Sequence, residues 1–248
     1  MFKIPMIVGH RGAPLEAPEN SIPSFILAKQ IGASAIELDV HLSKDGVPVV
    51  IHDSIVVNDD GSRRKINEMY LEEIRKVNLA HLYHGKYSDV RIPTLRDVFN
   101  EVGRIKYCIE IKKSYKIYPN IEGKVLDIVD SLGLRDYVEI TSNDYDSVLK
   151  IRELDPDIVV GMGYLGKVKW ILDIAKRLEV NWLHVQYDLI SEEDVELVHD
   201  EGMKINAWTV NDVFVANELA NYGVDAITTD DPRLLIGELS KTCNKAPR

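Results

Sequence analysis

From residue 106 onward the sequence alternates, with little interruption, between short apolar or β-branched runs and longer stretches of helical spacing. The apolar runs fall at 106–112, 137–142, 158–162, 182–186, 204–209 and 225–229, and the helical stretches at 121–132, 145–154, 168–178, 192–201, 213–222 and 234–239. Strands separated by single helices and short connections are expected to run parallel, because each crossover returns the chain to the same end of the sheet. The N-terminal part adds a run at 4–9, a helix ending at Ile31 before Gly32, and a run from Ile36 whose return arm spans 47–51. That makes nine apolar runs. If 47–51 is the arm of a hairpin projecting beyond the rim, eight remain, the number that closes a (β/α)8 barrel. The predicted fold is therefore α/β, a (β/α)8 TIM barrel with a small insertion after the hairpin bearing His52. An open doubly wound sheet is the competing architecture; His10-Arg11-Gly12, after the first strand, lacks the glycine spacing of a dinucleotide-binding turn.

The hairpin draws attention because the stretch IELDVHLSKDGVPVVIHD gathers ionisable groups in an apolar setting. With Asp45-Gly46 as a two-residue loop, Val40 would face Ile51 and Asp39 would face His52. Glu37, two residues before Asp39, would share that face. The following stretch, 54–92, is too long for a plain connection and reads as an insertion over the barrel mouth, with helical spacing over 67–79. Elsewhere, Asn20 or Ser21 can cap the first helix, Pro23 fits its first turn, and Thr94 can cap a helix over 95–102. No composition shift marks a second domain, so residues 1–248 read as one catalytic barrel.

At 248 residues and 45% hydrophobic content the chain can fill a sizeable core. A net charge of -10 disfavours nucleic acid as a partner, since phosphate backbones recruit basic clusters. The N-terminal apolar run is too short for a signal peptide or an integral membrane segment, so a cytoplasmic location is expected. Two cysteines, Cys108 and Cys243, give neither a disulfide framework nor a zinc-ligand spacing. No coiled coil or apolar stripe points to an oligomeric interface.

In a barrel of this kind the active site lies at the C-terminal ends of the strands. Polar residues ending apolar runs are His10, Arg11, Glu37, Asp39, Glu110 and Lys112. Glu37, Asp39 and Glu110 offer hard oxygen ligands that cannot all stay ionised in a partly buried site without a cation. One divalent cation, Mg2+ or Ca2+, suits that set; residue type does not choose between them. An imidazole ordinarily titrates at about 6.5, so His10 and His52 suit proton transfer, one from an attacking hydroxyl and the other to a departing alkoxide. Arg11 can hold phosphate oxygens. The combination points to phosphodiester cleavage.

These residues resemble the glycerophosphodiester phosphodiesterase family, within the phosphatidylinositol-phospholipase-C-like barrels. The resemblance is carried by Gly9-His10-Arg11-Gly12 with Pro18-Glu19-Asn20, Glu37-Leu38-Asp39-Val40, Lys44-Asp45-Gly46 through His52-Asp53, Pro93-Thr94-Leu95, Glu110-Ile111-Lys112, Trp208-Thr209-Val210-Asn211, and Thr229-Asp230 ahead of Pro232. It implies metal-dependent hydrolysis of a small glycerophosphodiester to glycerol 3-phosphate and an alcohol. It also implies His10 and His52 as the acid-base pair, Glu37, Asp39 and Glu110 as metal ligands, and Arg11 and Lys112 on the phosphate. The alternative activities are a phospholipase-D-like cleavage of lysophospholipid forming a cyclic phosphate, and a non-catalytic phosphate-ligand sensor. One departure from the family pattern is Asn58-Asp59-Asp60-Gly61, where an Arg-Thr-Thr-like stretch is common; acidic residues there would favour an alcohol carrying positive charge.

Other residues have blander readings. Trp208 is either an apolar wall for the glycerol moiety or barrel packing. Asn20 can serve as helix cap and as partner of a site residue, Ser142 ends its strand, and Cys108 reads as core rather than nucleophile. His41, His81, His84, His184 and His199 are given no role.

Overall fold

The computed structural model describes residues 4–57, 61–80, 83 and 86–243; Asn58-Asp59-Asp60, His81, His84 and the Cys243 side chain lie outside the described residues. The chain opens with β1 (Met6–Gly9), α1 (Ile22–Ile31) and β2 (Ala35–Leu42) and turns back in β3 (Pro48–Val50). A short hairpin, β4 (Ile55–Val57) and β5 (Arg63–Lys65), and a single turn, α2 (Leu71–Ile74), follow. Regular alternation then sets in through α3 (Leu95–Val102), β6 (Lys106–Ile111), α4 (Ile121–Ser131), β7 (Val138–Ser142), α5 (Tyr145–Leu154) and β8 (Val159–Tyr164). It ends with α6 (Leu172–Arg177), β9 (Trp182–Gln186), α7 (Glu192–Asp200), β10 (Lys204–Trp208), α8 (Val213–Tyr222), β11 (Ala226–Thr229) and α9 (Pro232–Cys243).

β1 pairs in parallel with both β2 and β11, and β6 to β11 pair in sequence order, so eight parallel strands close into a barrel with β3 outside the ring. The predicted barrel is therefore the observed one. Alternation along the strands sends Ile7, Leu38, Ile109, Ile140, Val160, Leu183, Ile205 and Ile227 outward, where they are buried in one core with the helices. Each such side chain contributes about 1.5–3 kcal/mol on burial. The other face points into the barrel. There Val8, Ala35, Trp182 and Ala226 form a small apolar cluster, while further along the same strands the inward positions become polar.

Local signals set the helix ends. Ser21, rather than Asn20, caps α1, its Oγ accepting from Ser24 N at 3.3 Å. Thr94 and Asp97 form a reciprocal capping box on α3 at 3.1 and 3.0 Å. The helix predicted over 168–178 breaks into a 3-10 turn, Val168–Trp170, and α6.

The hairpin register differs from the predicted one by a residue. Val40 lies opposite Val50, His41 opposite Val49 and Leu42 opposite Pro48. The cause is the loop, which has three residues, Lys44-Asp45-Gly46, closed by Ser43 N donating to Val47 O at 3.0 Å. Gly46 takes the left-handed conformation that such a loop needs at its last position (φ 78°). Asp39 consequently sits opposite Ile51, whose N donates to Asp39 O at 3.0 Å, and His52 does not face Asp39 across a ladder. The strand has ended at Val50, so His52 is placed by the bend that follows and not by alternation.

In the 54–92 stretch the predicted helix over 67–79 reduces to α2 and a 3-10 turn, Ile66–Glu68. Its apolar spacing serves a separate small core instead, in which Ile66, Met69, Ile74 and Val77 pack with Val49, Ile51 and Val56. The β4–β5 hairpin was not anticipated, because each arm has only three residues. Tyr83 Oη donates to Pro14 O, and Lys86 Nζ to Glu16 O at 2.9 Å, tying this stretch to the loop after β1.

Candidate active site

Among the residues singled out in the sequence, His10, Arg11, Glu37, His52, Glu110, Lys112 and Trp208 line one cavity of about 210 Å³ at the C-terminal ends of the strands. Asp39, 1% exposed, lies just behind its wall. The strand ends thus bring together what the sequence separates by up to 198 residues.

The turn after β1 is fixed by the site itself. Arg11 adopts a positive φ of 52°. Its N donates to Glu37 Oε2 at 2.9 Å, and its carbonyl accepts from Asn20 N at 3.1 Å and Ser24 Oγ at 3.0 Å. These bonds hold a conformation that costs a non-glycine residue energy. Gly12 follows at φ 95°, where a Cβ would collide with Ser24. The backbone can therefore curl over α1 and present His10 and Arg11 to the cavity.

Glu37, Asp39 and Glu110 place carboxylate oxygens within 4.8 Å of one another, as expected from the pairing of Asp39 with Glu110 on neighbouring strands. Burial, then repulsion from Asp39, pushes the Glu37 carboxyl up to about 8, against the favourable influence of His10. Asp39 moves the other way. Burial opposes its ionisation, but Lys112 Nζ at 3.3 Å, Arg11 Nε at 3.4 Å and the Asn20 amide at 2.7 Å hold its carboxyl below the usual range. Asn20 also accepts from Asp39 N at 3.2 Å, so its side chain serves the site and leaves capping to Ser21. Glu110 binds Lys112 Nζ at 3.0 Å and the Asn143 amide at 3.1 Å. Arg11 and Lys112 are thus held by carboxylates; the Arg11 guanidinium also meets both oxygens of Glu19 at 3.0 and 3.1 Å.

Three hard, partly buried carboxylates, one of them holding its proton to about 8, form a donor set that suits a divalent cation of the Mg2+ or Ca2+ type.

Each histidine has one ring nitrogen committed. His10 Nδ1 bonds Asp230 Oδ1 at 2.7 Å, which frees Nε2, 4.0 Å from Glu37 Oε2. Burial lowers the His10 pKa, but the Asp230 hydrogen bond and Glu37 outweigh it, so the net shift is upward. Asp230 is steadied by the Asn211 amide at 2.7 Å. His52 Nδ1 bonds Asp53 Oδ1 at 2.8 Å, again leaving Nε2 toward the cavity. His41, given no role in the sequence, fixes the bend: its Nε2 donates to His52 O at 2.9 Å, and its Nδ1 accepts from Tyr118 Oη at 2.7 Å. A carbonyl only accepts, which determines the tautomer.

Asp230, Asn211, His41 and Asn143 are among the residues that sequence reasoning missed. The signal for two of them was present, since Asn211 and Asp230 stand in the motifs that end β10 and β11. Trp208 lines the cavity, and its Nε1 is buried without a hydrogen-bond partner among the described residues. Ser142 is structural, its Oγ donating to Ile111 O at 2.6 Å. Burial, then Glu139 and Glu37, raises the Cys108 thiol well above its ordinary pKa, so it is no nucleophile.

Fold and site define a class: a (β/α)8 barrel with acidic, histidine and basic side chains gathered at the strand ends. Within it, the chain belongs to the glycerophosphoryl diester phosphodiesterase family, whose profile matches residues 10–234. A glycerophosphodiester phosphodiesterase of Caldanaerobacter subterraneus subsp. tengcongensis is 34% identical over 95% of this chain and 98% of that relative. Among solved structures, an Oleispira antarctica phosphodiesterase in complex with the product sn-glycerol-3-phosphate superposes with a TM-score of 0.89 at 25% identity, covering 96% of this chain and 97% of that one. A glycerophosphodiester phosphodiesterase from Thermotoga maritima gives a TM-score of 0.76 at 27% identity, over 94% and 97% of the two chains. No described helix is long and apolar enough to cross a membrane.

Proposed function

We propose that this chain hydrolyses glycerophosphodiesters to glycerol 3-phosphate and an alcohol, by histidine acid-base catalysis beside one divalent cation, Mg2+ or Ca2+. The observation that carries the reading is the pair of histidines on one cavity wall, each with Nδ1 on an aspartate and Nε2 left for proton transfer. One removes a proton from the attacking water, and the other donates one to the departing alkoxide, a leaving group too basic to depart unaided. Asp230 and Asp53 hold the two rings in orientation through both steps. When bound by Glu37, Asp39 and Glu110, a divalent cation would supply positive charge to the phosphate oxygens. Arg11 and Lys112, already at the cavity wall, share their charge between the carboxylates and the phosphate. The Trp208 ring offers the substrate an apolar wall. The 54–92 stretch, tied to the loop after β1, covers the mouth of a single catalytic barrel.

The test is phosphorus NMR of the products formed from a panel of glycerophosphodiesters, with and without chelator and with Mg2+ or Ca2+ restored. Glycerol 3-phosphate, formed only with cation present, is the expected product. A cyclic phosphate as the sole end product would favour the lyase reading instead, and turnover undiminished by chelator would remove the metal from the account.

A further inference from the structure

TIM-barrel interiors are normally filled by bulky branched side chains. Beneath the carboxylate cluster this barrel instead carries Cys108, Thr141, His184, Asn206 and Thr228, which border the active-site cavity from below, and Gly161 against Glu139 and His184. Three of the strands here bring unlike metal-binding groups together: Cys108 Sγ from β6, a Glu139 oxygen from β7 and a His184 nitrogen from β9 all lie within 4.8 Å of one another. Glu139 and His184 reach each other across β8 only because residue 161 is glycine. A Cβ there would lie 2.6 Å from His184 Nε2 and closer still to Glu139 Oε1.

Two further observations mark the place as built for more than packing. Among the described residues, Thr141 Oγ1, on a residue only 5% exposed, is buried at this level without a hydrogen-bond partner. His184 Nδ1 meets the Asn206 amide at 2.9 Å, and that amide also contacts Thr228 Oγ1. This support orients the ring so that Nε2 points at Glu139. Turned over, the Asn206 amide accepts from Nδ1–H, the outer contact that fixes an imidazole as a ligand.

We propose that Cys108, Glu139 and His184 form a second cation site inside the barrel, for a borderline-soft divalent ion of the Zn2+ class and distinct from the hard oxygen cluster above it. A thiolate, an imidazole and a carboxylate suit Zn2+, and Mg2+ or Ca2+ poorly. The cavity side supplies an open fourth position. The His184–Glu139 contact, 2.5 Å in the absence of an ion, opens by roughly 1 Å to admit one at usual bond lengths. For Nε2 to ligate, His184 carries its ring hydrogen on Nδ1, the Asn206 amide turning to accept it. Cys108 releases its thiol proton to solvent, so one proton leaves per ion bound.

The probe is Co2+, whose bond to thiolate gives a near-ultraviolet charge-transfer band that oxygen and nitrogen ligands do not give. The protein used is the full chain carrying Cys243→Ser, in which Cys108 is the sole thiol, with Mg2+ in excess to occupy the carboxylate cluster. One equivalent of Co2+ is expected to produce the band, Zn2+ to bleach it, and His184→Gln to weaken Co2+ affinity at least tenfold. A folded Cys243→Ser protein that gives no thiolate band, or a band that persists after Cys108→Ala, overturns the proposal and leaves Glu139–His184 as an internal hydrogen-bonded pair. The outcome is independent of phosphodiesterase activity, so the two readings fail separately.

Discussion

Glu37 is a residue whose placement works against the fold. Its carboxyl ionises only near 8, because burial and Asp39 disfavour the charge. Between the ordinary value of 4.5 and about 8, the folded protein keeps a proton that the unfolded chain has lost. The Glu37 contribution to stability of the cation-free protein therefore falls as pH rises through that window and levels beyond it. Glu37→Gln should raise the Tm of the chelated protein at pH 8 by roughly 2–10 °C, the gap closing toward pH 4.5, while activity is lost. Equal melting curves across the window would refute this. Asp230 is different in kind: it touches His10 and acts through it. Asp230→Asn is predicted to lower kcat roughly 10- to 100-fold, and to move the His10 inflection in kcat/KM to lower pH, since a neutral partner no longer favours imidazolium. A merely structural role would leave that inflection in place. That His10, Arg11, Glu37, Asp39, Glu110 and Lys112 gather at one candidate site was legible because each ends an apolar run, a local property. The bond from His10 to Asp230 spans 220 positions and exists only once β1 has docked on β11. No window of sequence contains it.

At the scale of elements, the β2–β3 hairpin delivers two carboxylates by alternation and one histidine by the bend after it. Asp-Gly correctly marked the hairpin, but a two-residue and a three-residue loop carry the same dipeptide. Only the backbone closure at Ser43 and Val47 decides between them. A slip of one residue flips every side chain beyond it, and the site survives it because regular pairing stops at Val50 before His52 is reached. What then fixes His52 is the buried chain Tyr118–His41–His52 carbonyl. Tyr118→Phe leaves His41 Nδ1 without its donor in a buried setting, at a cost of about 1–3 kcal/mol. The expected result is a Tm lower by roughly 2–8 °C and a drop in kcat that exceeds any change in KM. A variant as stable and as active as the parent would show that the bend is held otherwise. The insertion was least legible of all, since its apolar residues at helical spacing fill a small separate core from a loop.

For the whole molecule, barrel closure is the step that creates function. The outward faces of eight strands share one core with the helices, and the inward faces are thereby freed to be polar. The eight-strand count was legible because parallel strands with crossover helices repeat at a regular period, and one surplus run could be assigned to a hairpin. Closure brings His10 from the first strand, His52 from beyond the second and Glu110 from the third barrel strand to one cavity. The central claim is that the two histidines act as one acid-base unit there. It is tested most directly by kcat for release of glycerol 3-phosphate from glycerophosphocholine by His10→Ala, His52→Ala and the double variant, each with saturating Mg2+. Each single variant should lose at least about 100-fold, and the double variant should be little worse than either, as for groups that work together. A single variant that turns over at the parent rate would contradict the account.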